Sequence, residues 1–377
     1  MNKFGKFLLP LIILILAACG NGTGAEDGAY ESSDEATQIY VPEATVIHAI
    51  DEDCRAQDFA PPAQVGLVQG ETTVFLEQGY GWSMAGGELD WHIQPQREIA
   101  VFQACGMIHR LDYFPNALIP SYHGGGFAFL DDSGNFFRNI AGIIADPPDI
   151  AVTQAFHDAL HYLQTGERVM VIVLDGWGWH MHAYFAHLQP FLASQYHRKA
   201  HTVFPPFTPV AMSSIFTGEL PNVHGVHDRA TRTMSAPDVF EAAAQLGFTS
   251  TRVQGGVNIV ATSERPVLIP NLGHVFYTDR GVFDAAMTRI DDADFMFIHF
   301  NSIDDIAHTY GPYAPQVGEA MALTDEFVQE LVAARGGVTI ILGDHGQHFL
   351  GEPGRLGDHL WVSHEDIFIP YVVIGGR

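Results

Sequence analysis

The stretch Val169-Met170-Val171-Ile172-Val173-Leu174 is apolar without interruption and closes on Asp175-Gly176. A strand with one wet face alternates apolar and polar residues. A continuous apolar run needs cover on both faces, which a parallel sheet between helices provides. Runs of the same kind occur at 295–300, 338–342 and 371–374, and helix-like segments at 236–246 and 316–334 separate them. The pattern predicts an α/β domain with a central, mostly parallel sheet flanked by helices. Ligands of such sheets bind beyond the carboxyl ends of the strands. Asp175 follows the first run, residues 301–308 the second, and Asp344-His345 the third, so three polar clusters converge on one sheet edge.

Upstream the rhythm differs. Between 41 and 144, short apolar stretches (65–68, 73–76, 127–130) alternate with turn residues, as in a small β-rich domain. Asp131-Asp132-Ser133-Gly134-Asn135 reads as a hairpin turn, and Ala145-Asp146-Pro147-Pro148-Asp149 ends the pattern. The expected organisation is a β-rich domain at 41–150, with no discernible chemistry of its own, followed by the α/β domain at 151–377. A helix is expected at about 151–164.

The first forty residues bear on location. Two lysines precede an apolar run at 7–18 that is too short to span a bilayer, so residues 1–18 read as a signal peptide. Leu16-Ala17-Ala18-Cys19-Gly20 resembles the bacterial lipoprotein cleavage box, which implies lipidation of Cys19, membrane attachment through it and an extracytoplasmic location. The alternative is an ordinary secreted protein. Residues 19–40 are small, polar and acidic, as in a flexible tether. A formal net charge of -26 argues against nucleic acid as a partner. Cys54 and Cys105 either form one disulfide or stay as buried thiols.

Several polar residues carry chemistry. Asp304 and His308 are four apart, so a helix places both on one face, where they can hold one cation. Asp344 and His345 set a carboxylate beside an imidazole directly after a buried strand. His359, in Gly357-Asp358-His359, is a third imidazole, with His364 as its competitor. In 207–218, Thr208 is expected to be a helix N-cap, Pro209 the first helical residue and Gly218 the stop. A hydroxyl beside free backbone N–H groups is a natural phosphate seat. Next to a metal it also loses its proton more readily. With Asp175, these residues supply what two adjacent divalent cations and an attacking hydroxyl require.

The set Leu174-Asp175-Gly176, Thr208-Pro209 with Thr217-Gly218, Leu220-Pro221-Asn222-Val223-His224-Gly225, Asp304 with His308 and Gly311-Pro312, Gly343-Asp344-His345-Gly346, and His359 is similar to the alkaline phosphatase superfamily. It is closest to the type I phosphodiesterase/nucleotide pyrophosphatase branch. The resemblance covers about 168–377 and leaves 41–144 uncovered. It implies an alkaline phosphatase-like fold with one cation held by Asp304, His308 and His359, and another by Asp175, Asp344 and His345. Thr208 would bridge toward the second as nucleophile and form a covalent phospho-enzyme. His/Asp ligation suits Zn²⁺, with Mn²⁺ as the other option. Thr202 imitates the nucleophile segment, but Thr208 has the family-like distance to Thr217-Gly218. His359 is preferred over His364 by its distance to Glu365, Asp366 and Ile369-Pro370.

One departure concerns substrate. Where the branch usually has an asparagine, this chain has Arg229. Its bidentate fork suits a dianionic monoester better than a diester; the alternative is a surface arginine paired with Asp228. The expected activity is hydrolysis of small phosphate mono- or diesters. Hydrolysis of phosphonate or sulfate esters is the alternative, as is a non-catalytic metal-binding lipoprotein. Thr208-Pro209-Val210-Ala211-Met212 lacks the Cys/Ser-x-Pro-x-Arg signature of sulfatases. Leu174-Asp175-Gly176-Trp177-Gly178 also resembles cofactor-independent phosphoglycerate mutases, but those are cytoplasmic and use serine.

Overall fold

Residues 48–49, 59, 62, 64–77, 89, 92–115, 117, 119, 121–122, 126–270 and 275–375 are described by a computed structural model. The signal peptide, Cys19, the acidic tether and Cys54 lie outside the described residues. Among the described residues, no helix is long and apolar enough to cross a membrane.

Five strands build the N-terminal sheet: β1 (Gln64–Gln69), β2 (Thr72–Glu77), β3 (Glu98–Gln103), β4 (Ile108–Asp112) and β5 (Ile140–Ala145), in the order β2-β1-β5-β3-β4. One face encloses its own core of Val65, Leu67, Ile99, Val101, Phe129 and Ile143. The expected turn at 131–135 is present, with the Asp131 carboxylate accepting from the Ser133 and Asn135 N–H groups. Cys105 is disulfide-bonded.

The second sheet has eight strands: β6 (Ile150–Ala151), β7 (Val169–Leu174), β8 (His197–His201), β9 (Ser250–Gly255), β10 (Val267–Ile269), β11 (Phe295–Phe300), β12 (Val338–Gly343) and, after a hairpin of β13 (His348–Glu352) and β14 (Arg355–Asp358), β15 (Phe368–Ile374). Their order is β6-β8-β15-β12-β7-β11-β9-β10. Only β15 runs against the rest, pairing antiparallel with β8 and β12, so the sheet is mostly parallel, as expected.

Side-chain alternation explains the unbroken apolar runs. Val169, Val171 and Val173 enter a core with helices α1 (Gln154–Gln164), α3 (Thr208–Thr217) and α4 (Val239–Gln245). Met170, Ile172 and Leu174 enter the opposite core, with α2 (Trp179–Phe185), α5 (Val275–Thr288), α6 (Ser302–Tyr310) and α7 (Pro315–Arg335). Each run therefore feeds two cores, which is why no polar residue interrupts it.

The N-terminal sheet also packs on the segment that follows His359. Val68, Ala100, Phe102, Ala141 and Ile144 share a core with Val362, Ile367 and Phe368. Residues Val46–Arg377 form one compact unit. Gly66 is where the chains come closest: a Cβ there would stand 1.7 Å from the Val362 carbonyl oxygen. Gly66→Ala is expected to force this backbone apart and to lower unfolding stability by about 1–3 kcal/mol. Chemical denaturation measures it, and an unchanged midpoint would refute the close contact.

Candidate active site

The seven polar residues expected at the sheet edge come together there. Asp175 follows β7, Asp344 and His345 follow β12, Asp304 and His308 lie on α6 after β11, and His359 follows β14. The tight turn after β7 uses Gly176 at φ 72, a left-handed conformation that favours glycine. Its N–H donates to Asp344 Oδ1 at 3.0 Å, tying the first cluster to the third.

Thr208 is displaced by one position from the expectation. It is the first residue of α3, the N-cap is Phe207 in extended conformation, and Gly218 ends the helix at φ 71. The Thr208 hydroxyl is therefore not used as a cap. It lies 3.3 Å from Asp175 Oδ1, to which it donates, and 3.2 Å from His345 Nε2. Thr202, the alternative threonine, is fully buried and hydrogen-bonds through its N–H to the Ile367 carbonyl.

The imidazoles share one arrangement. His308 Nδ1 donates to the Gly357 carbonyl at 2.8 Å, His359 Nδ1 to that of Pro206 at 2.7 Å and His345 Nδ1 to that of Gly346 at 3.1 Å. A carbonyl only accepts, so each Nδ1 carries a proton and each Nε2 is the nitrogen turned inward. The Nε2 atoms of His308 and His359 stand 3.2 Å apart, and His308 Nε2 is 3.4 Å from Asp304 Oδ2. Two imidazole nitrogens facing each other beside a carboxylate are a donor set that a cation fits once it displaces the proton on His308.

Ligand atoms of Asp175, Asp344 and His345 also lie within 4.8 Å of one another, as do those of Asp304, His345 and His359, and those of His308, Asp358 and His359. The rings of His345 and His359 stack at 3.9 Å, so the two clusters adjoin. The donor set fits divalent cations. Asp358 is an additional carboxylate beside them, bound to Arg355 at 2.6 Å.

Electrostatics point the same way. Asp175 lies well above the usual carboxylate range, first through burial and then through Asp344 and Asp304. Burial, opposed by the Gly176 N–H and reinforced by Asp304, pushes Asp344 up to about 7. Burial also works against the charge of Asp304, but the hydrogen bond and charge of His308, with the charges of His359 and His345, together outweigh it and hold Asp304 below the usual range. In return Asp304 overcomes burial and raises His308 to about 9. Asp344 Oδ2 is buried without a hydrogen bond. Crowded buried carboxylates of this kind are stabilised by a cation.

The supporting roles of several residues escaped the sequence reading. His299, inside β11 and fully buried, places Nε2 3.1 Å from Asp175 Oδ2, and Asn301 Nδ2 donates to the same oxygen at 3.3 Å. Gln347 Nε2 donates to both the carbonyl and the carboxylate of Asp304. Asp366 accepts from His348 Nδ1 and from the N–H groups of Leu360 and Trp361, and its carbonyl accepts from Gly346 N–H at 2.9 Å. A histidine interrupting an otherwise apolar strand was the available signal for His299. His364 is elsewhere, 3.0 Å from Thr73 Oγ1.

A cleft of about 760 Å³ opens over Thr208, Asp175, Asp304 and His308. Arg229 lines it, stacked 4.6 Å over the Phe207 ring. Asp228 does not pair with it; that carboxylate accepts from the N–H groups of Ala230 and Thr231.

A mostly parallel α/β sheet whose carboxyl edge gathers Asp/His clusters and a helix-leading hydroxyl defines an alkaline phosphatase-like protein. The chain belongs to the type I phosphodiesterase/nucleotide pyrophosphatase family, a group of phosphoric ester hydrolases. That family's sequence profile matches residues 169–266 and 250–360, together just over half of the chain. No curated protein matches it in sequence. Among solved structures, it is similar to phosphonoacetate hydrolase from Sinorhizobium meliloti 1021 in complex with phosphonoformate, at 22% identity and a TM-score of 0.40, over 48% of this chain and 57% of that one. Murine ectonucleotide pyrophosphatase/phosphodiesterase 5 is similar at 12% identity and a TM-score of 0.45, over 56% and 88%. The chain thus spans little more than half the length of the phosphonoacetate hydrolase.

Proposed function

We propose that this protein hydrolyses small phosphate esters, with Thr208 as nucleophile. The observation that carries the reading is the position of Thr208 Oγ1, at the head of α3 and within 3.3 Å of both Asp175 Oδ1 and His345 Nε2. Asp304, His308 and His359 would hold one divalent cation, and Asp175, Asp344 and His345 the other, with Zn²⁺ preferred and Mn²⁺ the alternative. When bound, the two cations supply positive charge that eases loss of the hydroxyl proton and offsets charge on the phosphoryl oxygens. Thr208 Oγ1 gives its proton to water and attacks phosphorus, the ester P–O bond breaks, and the leaving alkoxide takes up a proton from water and departs into the open cleft as the alcohol. Water then cleaves the phosphothreonine. Pro209 has no N–H and those of Val210 and Ala211 already donate to the Phe207 carbonyl, so at the start of α3 it is the Thr208 N–H that would donate to the phosphoryl group. The mature protein is read as a two-domain lipoprotein, lipidated at Cys19 and held outside the cytoplasm.

The test is cation analysis together with phosphate release from a panel of esters, on a soluble form lacking residues 1–19. Two cation equivalents and turnover that is lost on chelation and restored by Zn²⁺ or Mn²⁺ are expected. If the metal-loaded protein cleaves no phosphate or phosphonate ester, it is a non-catalytic metal-binding protein.

Arg229 tilts the site toward monoesters. Its fork can grip two oxygens of a dianionic phosphoryl group, whereas a diester offers one negative charge. Arg229→Ala is expected to lower kcat/KM about tenfold for p-nitrophenyl phosphate, and less for bis-p-nitrophenyl phosphate. A strong diester preference in the wild type that survives the substitution would sink this assignment.

A further inference from the structure

Three arginines line the cleft beside the carboxylates Asp175, Asp304 and Asp305. The chain carries 44 acidic residues against 18 lysines and arginines, so most of its surface repels anions. Yet Arg229, Arg232 and Arg355 all line the space above Thr208. Arg355 is neutralised by Asp358. Arg229 and Arg232 form no ion pair among the described residues, although both are exposed.

Their contacts tie them to different segments of the lining. Arg229 packs on Phe207, the residue immediately before Thr208. Arg232 is anchored to the segment after β9, where its Nη1 donates to the Asn258 carbonyl at 2.7 Å and the Ile259 carbonyl at 3.1 Å. Gly255, Gly256 and Val257, just before it, also line the cleft. Two anchored bonds from one nitrogen fix the guanidinium plane and leave Nη2 and Nε to donate elsewhere. The apolar residues lining the cleft are aliphatic: Pro209, Val257, Ile259, Pro270 and Val275. None of the described lining residues is Phe, Tyr or Trp, the side chains on which a nucleobase stacks.

We propose that the cleft selects phosphoesters whose leaving group bears a second anion, a carboxylate or another phosphate, and that Arg232 is the residue that reads it. This rests on the phosphohydrolase reading of Thr208. Arg229, packed on the residue next to Thr208, takes the phosphoryl group, and Arg232, tied to the segment after β9, takes the far end of the leaving group. A leaving group without charge leaves the Arg232 fork unmatched, and a nucleoside finds no ring platform among the described lining residues.

Phosphoglycolate and ethyl phosphate are nearly equal in size and differ by one carboxylate. Binding of each to Zn²⁺-loaded Thr208→Ala protein, measured by calorimetry, is independent of turnover, and kcat/KM for each is measured on the loaded wild type. At least about tenfold preference for phosphoglycolate is expected in both. Introducing Arg232→Gln should abolish the preference, and Arg232→Lys, which keeps the charge, should retain part of it. Equal binding of the two esters overturns the proposal, as does a preference that persists in Arg232→Gln or tighter binding of a nucleoside monophosphate than of phosphoglycolate. If the preference is present in binding but the wild type hydrolyses neither ester, the two-anion site stands and the hydrolase reading falls. If both esters are hydrolysed and bound equally, the hydrolase reading stands and the two-anion site falls.

Discussion

Thr208→Ala is expected to reduce phosphoester turnover by on the order of 10⁴-fold or more, the scale seen when a covalent nucleophile is deleted. Cation content should not change, because the imidazoles and carboxylates around Thr208 are held by other groups: His345 Nδ1 by the Gly346 carbonyl, Asp344 Oδ1 by the Gly176 N–H and Asp175 Oδ2 by Asn301. Stability should change little, since Phe207 rather than Thr208 occupies the N-cap and the hydroxyl caps no helix N–H. Thr208→Ser keeps an attacking oxygen at the same place and should retain much of the wild-type rate. The measurements are steady-state phosphate release and metal content for the three proteins side by side. If the alanine variant stays within about tenfold of wild type, water attacks the substrate directly and no phosphothreonine forms.

How much of this was legible in the sequence depends on what each strand faces. β7, β11 and β12 feed two cores and could be read directly, as could the polar residues at their carboxyl ends. β8 (His-Arg-Lys-Ala-His) and β9 (Ser-Thr-Arg-Val-Gln-Gly) belong to the same sheet but carry no apolar run. In β9 the buried Arg252 lies 4.7 Å over Phe216, and its Nη1 donates to the Val260 carbonyl and to Thr262, contacts set by the fold that make room for a residue too polar to be read as part of a core strand. The inward-facing residues around Thr208 were accessible because hydroxyl, carboxylate and imidazole must occur in a fixed order along one edge. Residues that hold them were not, because Asn301, Gln347 and Asp366 act through contacts set by the fold. The N-cap position was missed for a local reason: threonine before proline carries the preferred capping side chain, but here the helix begins at the threonine itself.

Asp366→Asn is expected to weaken cation binding about 10- to 100-fold although Asp366 touches no proposed ligand directly, an effect typical of groups that orient metal ligands. Its carboxylate accepts from Leu360 N–H at 3.2 Å and Trp361 N–H at 3.0 Å, and both oxygens lie 2.9 Å from His348 Nδ1. Leu360 follows His359 directly and sits at φ 151, a conformation that costs a non-glycine residue energy and persists only where neighbours enforce it. Through its carbonyl bond to Gly346 N–H, Asp366 also fixes the loop bearing His345. An asparagine replaces one acceptor oxygen by an NH₂ group, which faces donors and cannot serve them all. Leu360 can then relax, and His359 loses its set position. Some destabilisation will accompany this, about 1–3 kcal/mol for a buried network missing a partner, so a control is needed. Asp325 is another buried carboxylate: it accepts from Phe191 N–H at 2.9 Å and Leu192 N–H at 2.8 Å, on the helix α7 side of the sheet. Asp325→Asn should destabilise by a similar amount and leave cation affinity intact. Calorimetric titration with Zn²⁺ well below each variant's melting temperature separates the two effects. An Asp366→Asn protein that binds as tightly as wild type would show that His359 is held by Pro206 and by packing alone, and that Asp366 serves only stability.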